Sequence, residues 1–186
     1  MKKLFLILNL TFFISYSATC QTIEKLDVKN GFKDFTLGDN LSKWQSQLSF
    51  EGDYDDGSKA YLYTGECCNK IFNYNVEKII LRFSNNKLAS INITTEKFQK
   101  SYEESGKYTD WRSDDFESIK KSFSILFGNP TDIKTSKNSG EVTHFWLGKK
   151  VLLISKYENL GYKSGDRQQI SIIDITALKS SVESGF

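Results

Sequence analysis

The chain has 186 residues, with 25 Lys and Arg against 23 Asp and Glu, one His and three Cys. Lys2 and Lys3 supply the whole formal excess of +2, so the remainder is neutral, which argues against a nucleic acid or an anionic membrane surface as partner. A single His leaves too few nitrogen ligands for a histidine-rich metal centre.

The amino terminus has the order of a secretory signal peptide. Lys2 and Lys3 precede an apolar stretch from Leu4 to Ile14, and small or polar residues follow through Cys20. The stretch is shorter than the roughly 20 apolar residues a membrane-spanning helix needs. Three readings of the cleavage region stand open. Ser15 and Ser17 fit a cut before Ala18; Ala18 and Cys20 fit a cut before Gln21; and Cys20 is the lipidated residue if this is a lipoprotein signal. The expected organisation is a signal peptide over 1–20 and a single α+β domain over 21–186. The expected location is the periplasm, the bacterial envelope or the extracellular space. No transmembrane segment is expected, and membrane contact arises only through a lipid on Cys20.

Residues 22–34 read as an extended lead-in. Leu41, Trp44 and Leu48 then predict an amphipathic helix over Asp39–Leu48, with Asp39 as its N-cap. Strands are predicted over Ala60–Tyr63, Val76–Phe83 and Lys87–Thr94. Ser84-Asn85-Asn86-Lys87 is a tight hairpin signal between the last two, because Asn tolerates positive φ. A second helix is predicted over Asp115–Phe127. Its apolar face is Phe116, Ile119, Phe123, Leu126 and Phe127; Ser113 or Asp114 caps its start, and Gly128 and Pro130 end it. Strands over Val142–Leu147, Val151–Tyr157 and Gln168–Thr176 complete the pattern.

Helix, three strands, helix, three strands suggests a tandem repeat over 35–97 and 113–178. The expected fold is therefore α+β, with two helices packed on one face of a mainly antiparallel sheet. This element order, with the Phe35-Thr36-Leu37-Gly38 lead into the first helix, resembles the helix-plus-sheet units of the β-lactamase-inhibitor-like proteins and of small envelope-assembly lipoproteins. The resemblance contains no specific motif. It implies protein binding at the level of fold, and no functional residue carries over from it.

Chemistry is sparse. His144 lies in a predicted strand beside Phe145 and Trp146 and reads as structural. No Gly-x-Ser-x-Gly elbow and no phosphate-binding glycine pattern occurs. Asp53-Tyr54-Asp55-Asp56-Gly57 fails as a calcium loop, because Tyr63 stands where a bidentate Glu is required. It reads as an acidic turn. Cys67 and Cys68 are adjacent, which disfavours an ordinary bridge between them. The expectation is one buried and one exposed thiol, against a redox or metal pair. No cofactor and no metal site is expected.

Aromatic side chains in polar loops are the remaining signal. Tyr54, Tyr102, Tyr108, Trp111 and Arg112 are of the types that dominate interface hot spots. The expected function is that of an exported, non-catalytic protein-binding protein, an envelope accessory, inhibitor or immunity-type factor. The alternative is a small-ligand or glycan-binding module built on Tyr61, Tyr63, Phe145 and Trp146. A hydrolase would need His144 clustered with carboxylates in a cleft.

Overall fold

The computed structural model describes residues 22–98, 114–137, 139–160 and 165–177. The fold is α+β, and every strand pairing among the described residues is antiparallel.

The first described element is helix α1, Thr22–Lys29, where an extended lead-in was expected over 22–34. Leu26 is buried in the core and Ile23, three residues earlier, packs against it, the spacing of one helix face. A two-residue hairpin, β1 Gly31–Phe32 and β2 Phe35–Thr36, follows. Here a glycine is required, since a Cβ at Gly31 would stand 2.0 Å from the Phe35 carbonyl oxygen.

The helix expected over Asp39–Leu48 is much shorter. Helix α2 spans Leu41–Trp44, tightens into a 3-10 turn over Gln45–Gln47, and stops where Leu48 turns extended. Asn40 is the N-cap residue, and Asp39 holds the turn in a different way. Its carboxylate accepts hydrogen bonds from the Thr36 N–H, the Lys43 Nζ and the Trp44 Nε1. Leu48 leaves the helix because it opens strand β3, Leu48–Asp53, opposite Tyr63.

Strands β4 (Lys59–Tyr63), β5 (Lys70–Ile71), β6 (Tyr74–Ser84) and β7 (Lys87–Thr95) follow. Asn85 and Asn86 take φ of 50° and 60° between β6 and β7, so the expected hairpin is present. Helix α3 runs over Asp114–Phe127. It buries Phe116, Ile119, Phe123 and Phe127, whereas Leu126, expected on that face, is exposed. Gly128 ends it with φ of 82° and donates its N–H to the Ser124 carbonyl. Strands β8 (Asp132–Thr135), β9 (Val142–Leu147), β10 (Val151–Asn159) and β11 (Asp166–Asp174) complete the described strands.

The strand order is β3-β4-β6-β7-β11-β10-β9-β8, with β5 added on β6. Two antiparallel meanders are thus joined through their last strands, β7 and β11. Alternation divides each central strand between two faces. Ile79, Leu81, Ile91, Ile93, Ile170, Ile172, Val151, Leu153 and Trp146 are buried and share one core with Leu26, Trp44, Ile119 and Phe123 of the helices. Helix α1 also packs on α3 and β10. The Asp27 carboxylate accepts the backbone N–H groups of Lys149, Lys150 and Val151, fixing the β9–β10 turn from 122 residues away.

Among the described residues no helix is long and apolar enough to cross a membrane. Cys67 and Cys68 are joined in a disulfide. That corrects the expectation of one buried and one exposed thiol. Cys68 takes φ of 71°, a left-handed turn that adjacency of sequence did not reveal.

Candidate functional site on the half-exposed sheet face

The residues that alternate with the core lie on the other face of the sheet. In the central strands the cross-strand rows are Arg82–Ser90–Ile173, Ile80–Asn92–Ser171 and Lys78–Thr94–Gln169. Over this face opens a cavity of about 320 Å³, floored by β6, β7 and β11 and bounded by the Tyr54–Ser58 turn and by Ala177.

The turn is built around Arg82. The Tyr54 N–H donates to the Ser58 carbonyl and the Gly57 N–H to the Tyr54 carbonyl, with Gly57 at φ of 74°. The Arg82 guanidinium pairs with the Asp56 carboxylate and donates through Nε to the Ser58 hydroxyl. Ser58 donates its Oγ proton to Asp56 at 2.6 Å. Tyr54, 47% exposed, lies over the guanidinium with 4.2 Å between ring centroid and Cζ. The Ser58 hydroxyl first, then the Ser58 N–H and Arg82, hold the Asp56 carboxyl below the usual value of 3.8, overcoming the opposing effect of burial. The acidic turn is therefore a set of partners for one arginine.

Apart from Arg82, the floor is uncharged. Ser171 donates its hydroxyl to the Asn92 Oδ1 at 2.8 Å, and Asn92 donates its amide to Ser90 at 3.3 Å. Ile80 and Ile173 lie among these groups. An aromatic ring, a cation held by a carboxylate, and a floor of hydroxyls and amides can take up apolar and hydrogen-bonding surface together.

Of the expected site residues, Tyr54 is at the rim of this cavity. Tyr102, Tyr108, Trp111, Arg112 and Cys20 lie outside the described residues. The strand aromatics of the ligand-binding alternative do not form one site. Tyr63 and Trp146 are buried in the core, and Tyr61 packs between Phe50 and Phe83 on the same side. Phe145 alternates to the other face, under the Lys134 ammonium. Side-chain alternation explains the separation, since Phe145 and Trp146 are neighbours in one strand.

His144 is 2% exposed, with its ring packed against Phe116 and Trp146. It pairs across strands with Ser155. Nearby, Gln168 donates its amide to the Ser155 Oγ, and the Tyr157 hydroxyl donates to Asp166 at 2.5 Å. All of these are enclosed, so they form a polar patch of the core and not a cleft.

No protein family matches the chain, and no curated protein and no solved structure matches it significantly. The functional reading therefore rests on the site itself. Arg82, Asn92, Gln169 and Ser171 were missed from sequence. The signal was present in the polar members of strands whose alternate residues are Ile79, Leu81, Ile91, Ile93, Ile170 and Ile172.

Proposed function

We propose that this chain is an exported, non-catalytic protein-binding factor that receives its partner on the half-exposed sheet face. The observation that carries the reading is the chemistry of that face. Leu62, Ile80, Leu152, Ile154, Phe145 and Ile173 are half-buried and interleave with Arg82, Asn92, Lys156 and Gln169. Apolar patches crossed by hydrogen-bonding groups, with a Tyr on an Arg at the rim, have the composition of an interface core and its hot spots.

The finer architecture belongs to the same proposal. The helices pack on one face, and among the described residues none of them covers the other, which would receive the partner. The two meanders, each preceded by a helix, are halves of a tandem repeat that meet at β7 and β11. Support comes from the shared core of helix and strand residues and from the strand order. Such a layout is what the β-lactamase-inhibitor-like resemblance implies, an analogy of fold only. The signal-peptide order of residues 1–20 supports export, and Cys20 is the residue a lipoprotein signal would use.

The test is co-purification from the native host under mild detergent, with partners identified by mass spectrometry. A stoichiometric partner should be lost with Tyr54→Ala and with Ile154→Arg. It should be kept with Ile125→Arg, which alters a residue 70% exposed on α3. Loss only with Ile125→Arg, or no partner above an unrelated exported control, would overturn the reading.

The cavity supports one second reading, a small-ligand or glycan site. Its volume of about 320 Å³ reaches the lower end of the range of ligand pockets, roughly 300–1,000 Å³. Saturable binding of a glycan or small polar ligand that Asn92→Ala and Gln169→Ala both abolish would favour it.

A further inference from the structure

Away from the sheet face, the loop between β4 and β5 holds the Cys67–Cys68 disulfide. These are the only cysteines beyond Cys20. Cys68 is buried and Cys67 half-buried, while Asp34, from the β1–β2 turn, is exposed. The Asp34 carboxylate oxygen and both sulfurs lie within 4.8 Å of one another. The Tyr63 hydroxyl stands 3.1 Å from the Cys67 sulfur and 2.8 Å from the Gln47 Oε1.

We infer that the reduced form of this pair, with Asp34, is a binding site for a thiophilic divalent cation, zinc or cadmium, and that the disulfide is its closed state. The ligand chemistry is a carboxylate and two thiolates, with water as the fourth ligand of a tetrahedral ion. Two sulfurs on such an ion, each about 2.3 Å from it, stand roughly 3.7 Å apart. Opening the sulfur–sulfur bond lets the pair reach that separation, and Asp34 already lies near both. Inserting an ion between the sulfurs also enlarges the ring that adjacent cysteines close.

Tyr63 also reaches the pair. Its one hydroxyl proton can go to Gln47 or to Cys67. A thiolate at Cys67 is the stronger acceptor, so Tyr63 donates to it in the open state, and Gln47 keeps its bond by turning its amide so that Nε2 donates to the phenol oxygen. The electron balance is that of thiol–disulfide exchange. Two small thiols are oxidised to their own disulfide and Cys67–Cys68 becomes a dithiol. Binding the cation then releases two protons, one from each thiol.

The test uses the full chain, oxidised and then reduced with a phosphine under anaerobic conditions, freed of reductant and titrated with cadmium ion. The readout is the ultraviolet thiolate-to-cadmium charge-transfer band, with circular dichroism run beside it. The oxidised protein should give no band. The reduced protein should give a band that saturates at one ion per chain with its fold kept. Asp34→Asn should keep both titratable thiols and bind about tenfold more weakly. No band from a reduced, folded protein would overturn the inference, as would equal affinity in Asp34→Asn. Unfolding on reduction would overturn it too, since the bridge would then be a staple of the fold.

Discussion

Three aspartates carry much of the polar architecture at the scale of single residues. Burial pushes the Asp27 carboxyl up, but the N–H groups of Lys150, Lys149 and Val151 and the Lys150 charge outweigh it, and its pKa lies below 3.8. Asp39 is also raised by burial and brought lower by Lys43, the Thr36 N–H and Trp44. Asp56 is lowered first by Ser58. A folded pKa below the unfolded one means stability that is complete above the unfolded value and lost as pH falls through the folded value. Stability should thus be flat near neutrality and decline in acid from about pH 5 downward, measured by urea denaturation. Asp27→Asn should cost about 1–2 kcal/mol at neutral pH and make that decline shallower. An unchanged acid slope would show that the β9–β10 turn does not depend on this carboxylate. At the same scale, the sequence supported the structural reading of His144 but not its neighbours. Ser155, Gln168 and Asp166 are polar side chains at strand positions in phase with Leu153, Tyr157, Ile170 and Ile172, so alternation turns them into the core.

Local pattern and global pairing compete at the scale of elements. Leu41, Trp44 and Leu48 have helical spacing, yet Leu48 pairs with Tyr63, and the sheet gains a strand at the expense of a helical turn. Short helices are marginal by themselves, so strand pairing decides the boundary. The reverse holds at 22–29, where docking of Leu26 into the core makes a helix of a segment with weak periodicity. Strands β3 and β8 were missed because as edge strands they bury almost nothing, so their sequences show no clear alternation. The β6–β7 hairpin is the opposite case. Its turn chemistry is local, and the Asn86 carbonyl also accepts the Leu41 N–H, tying α2 to the turn. Asn86→Val should cost about 1–2 kcal/mol, since a β-branched residue resists φ of 60°. The denaturation midpoint should fall with no change in slope. Trp146→Phe should cost about 2–3 kcal/mol, because a fully buried ring shrinks and the Gly128 carbonyl loses the Nε1 hydrogen bond. A cost below about 0.5 kcal/mol would mean that the α3 end repacks freely.

For the whole molecule, one sheet has two unlike faces. The core face is closed by helix and hairpin residues, and the other carries the cavity and the proposed partner surface. Arg82→Ala should release Asp56, Ser58 and Tyr54 together, because all three contact the same guanidinium. We expect faster amide exchange across residues 54–58 and weaker partner capture, with the global midpoint lowered by about 1 kcal/mol or less. Exchange confined to the wild-type rate would detach that turn from the arginine. The sequence alone determined what depends on neighbours along the chain: the α+β class, the α3 helix with its glycine stop, the Asn–Asn hairpin, and six strands near their true limits. Those features follow from turn chemistry and from the alternation of apolar residues, which a chain carries wherever it folds. Tertiary structure decided what depends on distant partners. It joined β7 to β11, folded Asp56 and Ser58 onto Arg82, separated Phe145 from Trp146, and brought Asp34 to Cys67 and Cys68. The physical reason is that these groups are placed by the sheet, whose cross-strand neighbours lie tens of residues apart and leave no periodic trace in the sequence.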